Sequence, residues 1–158
     1  MPTKKTKKEF TLEWSLLCSH SLTDADTMNA SLINLIDQIN INANRKDKSK
    51  EFNEKEGEVF PINMVLVSRF RKLIDENTIV SVDVRYDVLD PKMKKLGSFE
   101  SSFTMEKGIK NFRAASHVNG FKITTSGMYA IVVNTKKLND TKYTKVGSVP
   151  LDVNLKVT

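Results

Sequence analysis

The chain has 158 residues, of which 39% are hydrophobic and 28% charged, and this is the size and composition of one globular domain. No apolar run approaches the roughly 18 residues that a membrane-spanning helix needs, and the lysine-rich start lacks the apolar core of a secretory signal. Cys18 is the single cysteine, so an internal disulfide is excluded. We therefore expect a protein of the reducing cytoplasm.

The net charge of +6 is unevenly distributed along the chain. Within the first nine residues, four lysines (Lys4, Lys5, Lys7 and Lys8) stand against Glu9, which gives +3 and leaves +3 for all the rest. We expect residues 1–9 to form a disordered basic tail and residues 10–158 to form one folded domain. The tail could also attract nucleic acid or anionic lipid weakly through its charge.

The first predicted element is a strand over residues 12–21. Trp14, Leu16, Cys18 and His20 share one of its faces, as the two-residue period of a strand requires. The polar residues that follow predict a connection rather than an element.

Residues 28–41 fit two interpretations. Their leucines and isoleucines fit helical spacing, but β-branched residues and several asparagines suit a helix interior poorly. A strand with a bulge near Asn34 explains the same pattern, and we favour it. The face that it would bury comprises Ala30 and Leu32 before the bulge and Leu35, Ile39 and Ile41 after it.

Residues 42–58 interrupt the strand pattern. They carry five basic and five acidic side chains, and Phe52 is their only large apolar residue. Such a segment buries too little apolar surface to offset its ordering entropy, so we expect a mobile loop.

The next two strands have the clearest patterns. Residues 60–70 are apolar on both faces at their centre, which predicts a central position in a sheet. Residues 79–88 alternate strictly between apolar and polar, which predicts one buried and one solvated face, and Asp90-Pro91 ends this strand. The apolar positions are Val80, Val82, Val84, Tyr86 and Val88.

The remaining strands follow at intervals of about ten residues. Phe99, Phe103 and Met105 share a face of one strand, and Asn119-Gly120 predicts a turn that closes another over residues 112–118. Shorter strands over residues 121–125 and 128–133 precede the last one, over residues 146–157. About eight strands without a helix predict an all-β fold, a single antiparallel β-sandwich of the immunoglobulin-like or C2-like kind.

Candidate catalytic residues are few. Cys18 and His20 share a strand face and could act as nucleophile and base or hold a metal, but no further ligand has suitable spacing. A buried structural thiol beside a histidine at the end of a sheet explains the pair more simply. His117 lies opposite the apolar face of its strand and is predicted to be solvated. We assign no catalytic, cofactor-binding or metal-binding residue.

Two loop features have structural explanations. Asp24 and Asp26, with Asp37, could offer oxygen ligands to calcium, but turn formation accounts for them more readily. Gly127 precedes Tyr129, and we expect this glycine to take a positive φ and the tyrosine hydroxyl to bond nearby backbone. No phosphate-binding, nucleophile-elbow or paired Cys/His motif occurs.

The pattern resembles a bacterial family of small β-sandwich domains of unknown function. The family has glycine where this chain has Asn34, and often proline where it has Ser126, and both residues tolerate the same backbone geometry. The resemblance implies a sandwich and a strand over residues 28–41, and it implies no activity. The matching segments are Leu16-Leu17-Cys18, residues 32–39, Phe60-Pro61, residues 64–67, Leu89-Asp90-Pro91 and residues 126–129.

These observations predict a non-catalytic binding or accessory module whose partner is another protein. The expected contact regions are a sheet edge or the loops at residues 23–27, 42–58 and 136–144. One alternative is a nucleic-acid-binding module that uses the tail and a second lysine group, and another is a metal-dependent enzyme or metal-stabilised sandwich around His20, Asp24 and Asp26. The second lysine group comprises Lys136, Lys137, Lys142 and Lys145.

Overall fold

The computed structural model describes residues 8–43 and 52–158, and these residues form two β-sheets packed face to face. One sheet has the strand order β2-β1-β4-β7 and the other β3-β9-β8-β5-β6. The all-β sandwich predicted from the sequence is confirmed, with nine strands in the described residues rather than about eight. The strands are β1 (Phe10–Thr23), β2 (Ala30–Leu35), β3 (Gln38–Ala43), β4 (Glu58–Lys72), β5 (Val80–Leu89), β6 (Lys95–Met105), β7 (Asn111–Ile123), β8 (Gly127–Lys137) and β9 (Thr144–Val157).

The core lies between the two sheets, and strand alternation places its side chains. Val80, Val82, Val84 and Tyr86 of β5 are all buried there, as their period of two predicts. The central position predicted for residues 60–70 is also confirmed, because β4 lies between β1 and β7.

The segment over residues 28–41 is extended, as favoured, but it forms two strands in different sheets. The break falls at Ile36, whose N–H donates to the Leu17 carbonyl at 2.8 Å, rather than at Asn34, which has a φ of 51°. Ile36 packs against the core and Leu35 is 61% exposed, so the predicted burial of Leu35 is wrong. Because the chain passes from one sheet to the other at this break, the residues that face the core change there. The alternation of apolar and polar residues does not reveal such a change.

One strand pairing departs from the predicted antiparallel arrangement. β3 pairs with β9 in parallel, with Ile39 beside Val153. β3 reaches this neighbour by crossing between sheets, and only strands joined by a hairpin must be antiparallel.

The predicted turn at Asn119-Gly120 is also wrong, because β7 runs through it without a break. Gly120 has a φ of 85°, and the register between β4 and β7 shifts between Phe60 and Asn63. Two residues of β4, one of them Pro61, therefore lie opposite one residue of β7. Glycine and proline here form a β-bulge, and the long pairing of β4 with β7 overrides the local turn preference.

The predicted Gly127-Tyr129 corner is confirmed. Gly127 has a φ of 135°, and the buried Tyr129 hydroxyl donates to the Thr125 carbonyl at 2.8 Å. The same oxygen accepts from the N–H groups of Thr124 and Thr125 at 2.9 and 3.1 Å. One hydroxyl thus satisfies three backbone groups where β7 gives way to β8.

Residues 1–7 of the predicted basic tail and residues 44–51 of the predicted mobile loop lie outside the described residues. The predicted bounds of that loop, 42–58, are too wide, because Asn42 and Ala43 belong to β3 and Glu58 begins β4. Residues 53–57 form a turn before β4, in which the Gly57 N–H donates to the Asn53 carbonyl at 2.7 Å. The described residues contain no helix long and apolar enough to cross a membrane.

Candidate functional site

Cys18 is fully buried on the outer face of the first sheet, where a small apolar cluster covers it. Its neighbours there are Val65 and Val67 of β4, with Trp14 and Leu32 at the margin. The thiol lies 3.6 Å from the Val65 carbonyl, and burial raises its pKa, although a backbone hydrogen bond at His20 acts in the opposite direction. A protonated, covered thiol is a poor nucleophile, so this geometry fits a packing role.

The two histidines line one cleft of about 240 Å³, which the sequence did not predict. His20 lies on β1 and His117 on β7. The other polar lining residues are Ser19, Ser21, Asn63 and Asn119. β4 lies between the strands that carry the two histidines, so these residues are not neighbours on paired strands. Across the described part of the chain, no three His, Cys, Asp or Glu residues are grouped as a metal site.

Asp24 forms a turn. Its Oδ1 atom accepts hydrogen bonds from the N–H of Asp26 at 3.1 Å and from the N–H and hydroxyl of Thr27 at 2.7 and 2.8 Å. These bonds, chiefly the one from the Thr27 N–H, lower the pKa of the exposed carboxyl. These contacts confirm that Asp24 forms a turn with Asp26 and Thr27.

The second lysine group of the nucleic-acid alternative is partly neutralised. Lys137 pairs with Glu9 at 2.6 Å and Lys136 with Asp83 at 3.5 Å. Lys136 also lies 5.1 Å from the centre of the Tyr143 ring. Two of the four lysines in this group therefore form local contacts with carboxylates, which reduces the positive charge available to a nucleic acid.

The β2–β3 edge, residues 30–43, is the surface with the least protection against strand addition. β2 and β3 are the outermost strands on one side of the sandwich, and each pairs with a single neighbouring strand in the described residues. Neither strand contains a charged residue or a proline, and Asp37 in the connection is the only charge from residue 30 to residue 43. Natural sheets usually guard an edge with charge, proline or a bulge.

The opposite side of the sandwich carries such guards. β6 begins with Lys95 and contains Glu100, and β7 contains Arg113 and Lys122 and lies beside the bulge of β4 described above. The contrast within one molecule makes the β2–β3 edge distinctive.

Exposed apolar side chains accompany the open backbone of β2. Ile33 and Leu35 are 40% and 61% exposed, and Leu16 and Leu22 of the neighbouring β1 are also exposed. Sequence alternation placed Leu35 in the core, and the absence of charge over residues 30–43 was the signal that could have indicated an edge.

No protein-family model matches the chain, and no curated protein matches it. The resemblance to a family of small sandwich domains therefore stays a prediction. Among solved structures, the chain is similar to an immunoglobulin-like protein from Pseudomonas aeruginosa, with 11% sequence identity and a TM-score of 0.37 over 94% of this chain and 99% of that one.

Proposed function

We propose that the protein is a non-catalytic binding module that takes up an extended segment of a partner protein along the β2–β3 edge. The observation that carries this proposal is an edge strand, β2, that contains no charge or proline and exposes the apolar side chains of Ile33 and Leu35 on either side of the left-handed Asn34. An added strand gains main-chain hydrogen bonds, and its alternate side chains contact the apolar ones beside it.

Two further features support a binding role over a catalytic one. The Cys18 thiol is covered by Val65 and Val67, and the Asp24 carboxylate is held in its turn by Thr27. The structural contacts of the thiol and of the carboxylate therefore account for both groups without a catalytic role. A reduced, buried thiol also agrees with our proposal that the module acts in the cytoplasm.

The test compares two double variants of the full chain as baits in a native lysate. I33K/L35K places two lysines on β2, whereas I79K/L138K makes the same changes at exposed apolar positions outside it. All four positions are exposed, so the free energy of unfolding of each variant should differ from that of the parent by no more than about 0.5 kcal/mol per site.

We expect the parent and I79K/L138K to retain the same partner and I33K/L35K to lose at least nine-tenths of it, because charge on an edge opposes strand addition. A partner retained by all three baits would refute the proposal. A stable dimer of the parent that I33K/L35K abolishes would also refute it, since the edge would then serve a second copy of this chain.

A further inference from the structure

On the side of the sandwich opposite the β2–β3 edge, four lysines line a surface cleft of about 460 Å³. Lys55 belongs to the turn before β4 and Lys94 to the turn before β6, whereas Lys95 is the first residue of β6 and Lys122 lies on β7. Lys95 pairs with Asp87 at 2.6 Å, but the other three form no ion pair with a carboxylate in the described part of the chain. Glu56 also lines the cleft, so its lining holds four lysines and one carboxylate, and the excess of positive charge attracts an anion.

Hydrogen bonds fix the backbone that carries these lysines. Asp90 is 4% exposed, and its Oδ1 atom accepts from the N–H groups of Lys92 and Lys94 at 2.9 and 2.8 Å. The Lys94 amine in turn donates to the Lys55 carbonyl at 3.5 Å. The cleft is thus preorganised, which reduces the ordering cost of binding.

An apolar cavity of about 280 Å³ adjoins the lysine cleft and shares Leu96 and Lys122 with it. It lies where the edge strands β6 and β7 approach each other. Two glycines stand on its walls, Gly97 and Gly120, and a Cβ atom at Gly97 would meet no atom within 4 Å. The other apolar lining residues are Val59, Val88, Phe99, Val118 and Phe121.

We infer that the two adjoining cavities bind one small amphiphile, with its anionic head group among the lysines and its alkyl chain between β6 and β7. An apolar cavity with a few convergent polar groups is the usual form of a small-molecule site. The charge at one end and the apolar walls at the other select a ligand that has both properties. This site is separate from the β2–β3 edge, so its failure would leave the proposed function untouched.

The test is a calorimetric titration with octyl phosphate below its micellar concentration. Octyl glucoside supplies the same chain with a neutral head, and inorganic phosphate supplies the head alone. We expect octyl phosphate to bind at least tenfold more tightly than either. K55Q/K94Q/K122Q should weaken it at least tenfold, because charge-assisted hydrogen bonds are lost, whereas K136Q/K142Q/K145Q should not.

Substitution at Gly97 tests the chain-binding half of the site. Gly97→Leu should block octyl phosphate, since the new side chain would fill the cavity without a clash at its Cβ atom. Thr104→Leu adds the same side chain to the solvated face of β6 and should bind as the parent does. If Gly97→Leu fails to fold, Val59→Asp places a charge on the cavity wall at a position that is already 69% exposed, and it should weaken binding as well.

Several results would overturn the inference. These are equal binding of octyl phosphate and octyl glucoside, full binding by Gly97→Leu or Val59→Asp, and equal losses in the lysine variant and its control. Binding to vesicles of anionic lipid with no binding of monomeric octyl phosphate would also overturn it, since the surface would then recognise a bilayer.

Discussion

Replacing Tyr129 with phenylalanine should destabilise the protein far more than the same change at Tyr86. Both side chains are fully buried, so each variant loses one hydroxyl from the interior. The Tyr129 hydroxyl bonds the N–H groups of Thr124 and Thr125 and the Thr125 carbonyl. The Tyr86 hydroxyl donates to Ser68, which keeps a second partner in Ser15 at 2.5 Å. The other partner of the Tyr86 hydroxyl is the side chain of Ser116, which is only half-buried and can turn to water.

The magnitude follows from the groups that lose their partners. A buried N–H left unsatisfied costs about 1–3 kcal/mol, and Tyr129→Phe leaves two, one of them in the buried Thr124. We expect a loss of about 3 kcal/mol for Tyr129→Phe and about 1 kcal/mol for Tyr86→Phe. In a domain of this size these losses lower Tm by roughly 6–12 °C and 2–4 °C respectively.

Urea unfolding followed by circular dichroism, with calorimetric Tm values, measures both variants. A slope m that matches the parent shows that the change in midpoint reports stability alone. Equal losses in the two variants, or a larger loss at Tyr86, would refute the reasoning that the corner depends on one hydroxyl.

Two further predictions use pKa shifts. Burial raises the Cys18 pKa above its ordinary 9.0, so above that pH the thiol ionises in the unfolded chain but not in the folded one, and the free energy of unfolding falls. Cys18→Ala should lessen this alkaline decline, measured as urea midpoints. A decline that is unchanged in the variant would contradict this prediction. The Asp24 pKa is lowered from 3.8, so its charge contributes stability above that pH that is lost as pH falls through the folded value. Asp24→Asn should therefore be less stable than the parent at pH 7, and this deficit should shrink as the pH falls below 3.8. A deficit that keeps the same size as the pH falls would refute this account.

The sequence predicted side-chain burial correctly in strands where apolar and polar residues alternate. Val80, Val82 and Val84 needed no information from elsewhere in the chain. The Tyr129 corner was also predictable, because a glycine with positive φ and a nearby tyrosine act within a few residues of each other.

Features set by distant pairing were not predictable in this way. The break at Ile36 depends on Leu17 in one sheet, and the direction of β3 depends on β9 in the other. The Asn119-Gly120 pair has turn chemistry, yet pairing with β4 keeps it within a strand. A local preference of about 1 kcal/mol yields to a ladder of backbone hydrogen bonds along a whole strand.

The candidate sites divide along the same line. The uncharged run over residues 30–43 was visible in the sequence, but alternation alone does not separate an edge from a core strand. The lysine cleft joins Lys55, Lys94 and Lys122, which are far apart in sequence, so only the packing of the two sheets brings them together.

Amide hydrogen exchange on the complex of the protein with its captured partner tests the central claim most directly. An added strand makes new hydrogen bonds to the backbone of β2, so exchange over residues 30–35 should slow on binding. The account predicts that protection is largest over residues 30–43 and that I33K/L35K abolishes it. Protection confined to residues 23–27, 53–57 or 136–144, with unchanged exchange over residues 30–43, would contradict it.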